Sequence, residues 1–143
     1  MYSGSLPNED TAMASEPKWI TPAITLALHD RQLAEHGGQT GLRDEGLMLS
    51  ALARPQQLFS YGDPPPDLCA MAAAYAYGIA KNHPFLDGNK RTAFVVYRLF
   101  LKWNGVELKA EKSERYTSML ALAAGELSEE DFTIWLRGNT AAS

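Results

Sequence analysis

The chain has one cysteine, Cys69, in 143 residues, so no internal disulfide can staple it. A lone thiol suits a reducing cytoplasm, which is the expected location. Cys69 sits among Leu68, Ala70 and Met71 and reads as a buried small hydrophobe. Basic residues are the minority: 13 Lys and Arg face 17 Asp and Glu, a net charge of −4. Direct nucleic-acid binding is therefore not expected, because it needs an extended basic face. Any basic site must be local, and Lys90-Arg91 is the obvious one. No run of ~18 apolar residues occurs, so no membrane span is expected. The start, MYSGSLPNEDTAMASEP, lacks the basic and apolar regions of a signal peptide. Runs of alternating polarity and internal repeats are also missing, which removes sandwiches, barrels and solenoids.

What remains is helical text. The length fits one domain, and a domain of this size hides roughly two-thirds of its unfolded surface without staples. Residues 1–17 are polar and read as a flexible tail. Thr21-Pro22 predicts an N-cap and a first helical proline, with Gly37-Gly38 as the stop. A short helix is expected from Asp44 to Ala53, ending before Pro55. The stretch Arg54 to Asp67 holds Phe59, Tyr61 and Gly62, then a triple proline. It reads as an extended flap and a stiff linker. Phe59 and Tyr61 then either dock a target backbone along the flap or pack on the core. Asp67 predicts the cap of an almost wholly apolar, central helix, Leu68 to Asn82. Further helices are expected from Asn89 to Trp103, Ser113 to Ala124 and Ser128 to Arg137. The reading is all-α: a domain of about six helices over residues 18–138, with a short tail at 139–143.

The chemistry is concentrated in HPFLDGNKRTAF, from His83 to Phe94. Asp87-Gly88-Asn89 opens a helix whose first amides have no intrahelical partner and whose dipole favours negative charge. Lys90 and Arg91 put two cations at that same end, where acidic residues belong. A bound anion removes the conflict, and phosphate is the natural one. Gly88 permits close approach of a ligand to the backbone. Asp87 makes sense as a carboxylate for a divalent cation that bridges phosphates, as Mg²⁺ commonly does. His83 ends the central helix and can take a proton from a hydroxyl. Each residue also has a plainer reading: a capping histidine, an ordinary Asp-Gly turn, a solvated basic face. Their joint occurrence favours an anion site.

The loop resembles the signature of the Fic/Doc family, HxFx[D/E][G/A]N[G/K]R. Here it reads His83, Phe85, Asp87, Gly88, Asn89, Lys90 and Arg91. The similarity extends to LALHDRQLAEHGG near the start and covers about Trp19 to Arg137. Two features resemble the death-on-curing branch. Lys90 stands where adenylylating members usually carry glycine, and Phe94 stands where they usually carry a second arginine. Gly88 departs towards the adenylylating pattern.

The resemblance implies a compact Fic/Doc-type domain and a kinase-like toxin. Such a toxin moves the γ-phosphate of ATP to a threonine of elongation factor Tu and arrests translation. His83 would be the general base, Asp87 the Mg²⁺ ligand, and Gly88, Asn89, Lys90 and Arg91 the phosphate holders. A cognate antitoxin is expected as a separate chain. The inhibitory pattern [S/T]xxxE[G/N] is absent, because Glu45-Gly46 is the one such pair and Gly41 stands where Ser or Thr would be. Two alternatives stay open: a protein adenylyltransferase or other nucleotidyltransferase on the same fold, and an inactive nucleotide- or partner-binding module.

Overall fold

A computed structural model describes residues 16–143. The expected tail at 1–17 lies outside the described residues except for Glu16 and Pro17. Six helices are present among the described residues: α1 Pro22–His36, α2 Glu45–Tyr61, α3 Leu68–Asn82, α4 Asn89–Trp103, α5 Lys112–Ala124 and α6 Glu129–Gly138. The all-α expectation holds, with one small addition. Strand β1, Val106–Leu108, pairs antiparallel with β2, Thr140–Ala142. Thus most of the segment expected as a tail at 139–143 is tied to the domain. Ser143 continues the tie by donating its amide to the Gly105 carbonyl at 2.9 Å.

The caps foreseen at Thr21 and Asp67 are in place, and Asp44 and Ser128 cap the helices expected to start there. Thr21 accepts from the Ile24 amide, Asp44 from Leu47, Asp67 from Ala70 and Ser128 from Asp131. Each satisfies one orphan donor of a first turn. Asp67 also takes Arg137 in a two-pronged ion pair at 2.7 and 3.2 Å. The start of α3 is thereby fixed to the end of α6.

Helix α3 is the axis of the domain. Met71 to Ala76 are all buried, and most are alanine. Small side chains on every face let α2, α4 and α6 come close around it. Gly78 marks the closest approach: a methyl group there would lie 3.1 Å from the Ala51 side chain on α2. Aromatic rings fill the wider gaps, with Trp19 against Phe59 and Phe100, and Tyr97 against Phe132.

The segment expected as a flap is instead helix. Helix α2 runs through Pro55 to Tyr61, so Arg54–Tyr61 presents no strand edge for docking a backbone. Proline deletes one helical hydrogen bond and crowds the carbonyl four residues back. Burial outweighs that cost here, since Ala51, Leu52 and Pro55 are all buried. Phe59 packs on Trp19, with ring centroids 5.7 Å apart. Only Tyr61, 86% exposed, stands free at the helix end.

The segment that leads into α1 is pinned to the domain. The Lys18 amide donates to Asn104 Oδ1, which lies 2.8 Å away, and Asn104 Nδ2 donates back to the Lys18 carbonyl. The buried Ile20 amide donates to the Tyr75 hydroxyl at 3.0 Å. Tyr75→Phe leaves that amide without its partner. The variant is expected to lose about 1–3 kcal/mol in chemical denaturation, with unchanged helix content.

Candidate active site

The loop from His83 to Gly88 is held from three sides. The first is internal. Asn89 is buried, 5% exposed, and its carboxamide pairs with a single residue's backbone. Asn89 Oδ1 accepts from the Phe85 amide at 2.9 Å, and Nδ2 donates to the Phe85 carbonyl at 2.9 Å. This pair of hydrogen bonds fixes which end of the amide is nitrogen. The same Nδ2 lies 3.3 Å from His83 Nδ1. An NH₂ can only donate, so Nδ1 accepts and the neutral ring carries its proton on Nε2.

The second side is the segment between α1 and α2. The Arg43 guanidinium donates to the His83 carbonyl at 2.7 Å and to the Asn82 carbonyl at 2.8 Å. The backbone amides of Arg43 and Asp44 both donate to the Pro84 carbonyl. Carbonyls at a helix C-terminus lack partners and carry negative partial charge, so Arg43 answers both needs. His83 itself adopts the left-handed conformation, φ 51° and ψ 56°, which turns the chain sharply out of α3. Few non-glycine residues sit there, and Arg43 with Asn89 holds this one.

The third side is His29 on α1. It is buried, 2% exposed, and stacks on Phe85 with centroids 3.7 Å apart and planes within 8°. Its Nε2–H donates to the Asp87 carbonyl at 2.8 Å. The sequence puts His29 in the LALHDRQLAEHGG stretch without a role of its own and gives no sign of Arg43's role. Both act through contacts distant in the chain.

Asp87 points its carboxylate outward. Oδ1 accepts from the Gly88 amide at 2.8 Å and Oδ2 from the Gln39 amide at 3.1 Å. These two bonds hold its pKa below the usual carboxylate range, and the Arg91 charge adds to the effect. The group is anionic at neutral pH. Gly88 sits at φ 76° as the N-cap of α4. A methyl there would meet only ordinary contacts, 3.5 Å from Leu33, so the backbone angle and not crowding favours glycine.

Helix α4 starts with the exposed cations Lys90 and Arg91 on its first turn, beside amides that have no intrahelical acceptor. His83 and Lys90 share the wall of a cavity of about 370 Å³. Its other wall is α5 and the turn after it: Thr117, Leu120, Ala121, Ala123, Ala124 and the carboxylate-bearing Glu126. The structure therefore brings His83 and Lys90 to one cavity. It places Asp87, with the Arg91 charge acting on it, on the side facing Gln39. Asn89 is turned into the loop by its side chain, leaving its backbone amide for a ligand. Phe59 and Tyr61 belong to α2 and line no part of this cavity.

Asn89→Ala removes both hydrogen bonds to the Phe85 backbone. Faster exchange of the Phe85 amide is expected, with a stability loss of about 1–3 kcal/mol. For Asp87 the folded pKa is the depressed one. Its contribution is present above the ordinary carboxylate value of 3.8 and is lost as pH falls through the lower folded value. Asp87→Asn is expected to flatten the acid limb of a stability–pH curve, measured by thermal unfolding below pH 5 (about one unit above the ordinary range).

Comparison with known proteins agrees with this architecture. A model of the Fic/DOC family matches residues 19–101. The chain is 34% identical over 118 residues to "Protein kinase doc" of Escherichia phage P1, covering 82% of this chain and 92% of that protein. It is 45% identical over 75 residues to "Toxin Doc" of Mycolicibacterium smegmatis, covering 52% of this chain and 58% of that protein. With the signature loop folded between α3 and α4 and the match running across most of the domain, the chain belongs to the Fic/DOC family.

Proposed function

We propose that this protein is the toxin of a toxin–antitoxin pair and transfers the γ-phosphate of ATP to a hydroxyl of a protein target. The observation that carries this reading is the shared cavity of His83 and Lys90 at the N-terminus of α4. A proton acceptor and a phosphate-binding end stand within one site. The names of the two relatives, a protein kinase and a toxin, support the reaction class and the biological role. Elongation factor Tu is the proposed target and arrest of translation the outcome, on the resemblance of the loop to the death-on-curing branch. A separate antitoxin restrains the enzyme.

The residues divide the work. The free amides of the first turn of α4, with Lys90 and Arg91, hold the triphosphate by charge and hydrogen bonding. Asp87 is the Mg²⁺ ligand. It fits that ion: its carboxylate is ionised and exposed, and Mg²⁺ commonly takes one or two carboxylates with waters and substrate phosphates. The ion supplies charge neutralisation across the phosphates when bound. His83, on the wall of the cavity, receives the target hydroxyl on an unprotonated ring nitrogen. The proton passes to that nitrogen, the hydroxyl oxygen bonds to the γ-phosphorus, and the bond to the bridging oxygen breaks, releasing ADP. Arg43 and His29 keep the loop in register during this step.

Lys90 and Phe94 favour γ-transfer. They lie four apart on one face of α4. A lysine is a mobile point charge, and an aromatic ring offers the far phosphates no fork. Transfer of a nucleotidyl group is the second reading, favoured by Gly88.

His83→Ala is expected to lower target modification by ~10²–10⁴-fold and to abolish growth arrest, with an unchanged helical spectrum. Modification at the wild-type rate would remove His83 from the chemistry.

A further inference from the structure

The cavity that holds His83 and Lys90 also carries an acid, Glu126, just beyond the end of α5. The turn that delivers it is fixed. Gly125 follows the helix in the left-handed conformation, φ 81°, and the Glu126 amide donates back to the Ala121 carbonyl at 2.9 Å. Such a closure satisfies a carbonyl of the last turn and sets where the next residue leaves the helix.

The charge has the wrong sign for that place. A helix C-terminus carries negative partial charge and favours a cation, yet the last turn of α5 has no basic residue. Glu126 enters no ion pair among the described residues. Lys90 has the mirror conflict in the first turn of α4. One cavity therefore joins a cation at a positive helix end to a carboxylate at a negative one. A ligand with phosphates at one end and hydrogen-bond donors at the other answers both. The volume of about 370 Å³ lies in the range of small-molecule sites. Leu120 and Ala121 add the apolar surface that such sites carry.

A nucleotide has this form. Its phosphates suit Lys90 and are repelled by a carboxylate. Its ribose bears two neighbouring hydroxyls, and an acceptor-only group with two oxygens can take both. Acidic residues take ribose hydroxyls in dinucleotide sites by the same chemistry. We infer that Glu126 binds the sugar of the nucleotide, accepting from the ribose hydroxyls while Lys90 holds phosphate. This assignment rests on the nucleotide reading above and names the part of the ligand that the α5 wall recognises.

The test is calorimetric binding to the full-length chain with Mg²⁺ and without target. The ligands are ATP, 2′,3′-dideoxyATP, inosine triphosphate and inorganic triphosphate. Wild type, Glu126→Ala, Glu126→Gln and Lys90→Ala are compared, each checked for helix content. Wild type is expected to bind ATP about tenfold more tightly than the dideoxy analogue. Glu126→Ala should lose that preference, and Glu126→Gln, with one acceptor oxygen, should keep part of it. Inosine triphosphate, which has both hydroxyls and lacks the adenine amino group, should bind wild type like ATP. Glu126→Ala should weaken ATP and not inorganic triphosphate, whereas a general charge effect would move both the same way. Wild-type binding that drops with inosine triphosphate and not with the dideoxy analogue overturns the sugar assignment and gives the carboxylate to the base. If ATP and the dideoxy analogue bind wild type equally while Lys90→Ala impairs both, the sugar assignment is overturned and the nucleotide reading stands. Failure of the wild-type chain to bind ATP overturns both.

Discussion

The site depends on one pair of hydrogen bonds, between the carboxamide of Asn89 and the backbone of Phe85. An amide side chain can satisfy both a peptide N–H and a peptide C=O at once. A carboxylate of the same shape cannot donate, and an alanine offers nothing. Buried polar groups left open are costly, so this position tolerates little else. The pair closes the loop into a tight turn between two helices. It thereby fixes the exit of α3 at His83 and the entry of α4 at Gly88. The third contact of the same amide, to His83 Nδ1, links the geometry of the turn to the chemistry of the ring.

Electrostatics then sort the loop into two ends. The C-terminus of α3 presents carbonyls, and Arg43 covers them. The N-terminus of α4 presents amides, and cations crowd there instead of acids. One helix end is neutralised from within the fold while the other keeps its cations. A chain with net charge −4 can carry such a site because the positive charge is local. Asp87 sits at the boundary, anchored by two backbone amides and ionised by them.

Much of this was legible in the residues. Thr21-Pro22, Asp44, Asp67 and Ser128 announced helix starts, and Gly37 announced a stop, because caps and left-handed glycines are local effects. The signature loop was legible because its residues are contiguous. The misreadings are all non-local. Pro55 suggested a helix end, since a proline's local cost is visible in sequence and its burial is not. Phe59 and Tyr61 therefore seemed to lie on a flap. Strands of three residues are too short to show alternation, so the pairing of Val106–Leu108 with Thr140–Ala142 was hidden. His29 and Arg43 meet the loop from 58 and 40 residues away, so their contacts with it were hidden.

The central claim is that the bound nucleotide gives up its terminal phosphate. The direct measurement is incubation of the wild-type chain and purified elongation factor Tu with ATP labelled at either the α- or the γ-phosphate, followed by the intact mass of the target. The account predicts transfer of the γ-label alone and a mass increase of one phosphoryl group. Transfer of the α-label with the mass of a nucleotidyl group would contradict it and leave adenylylation as the reaction of this site.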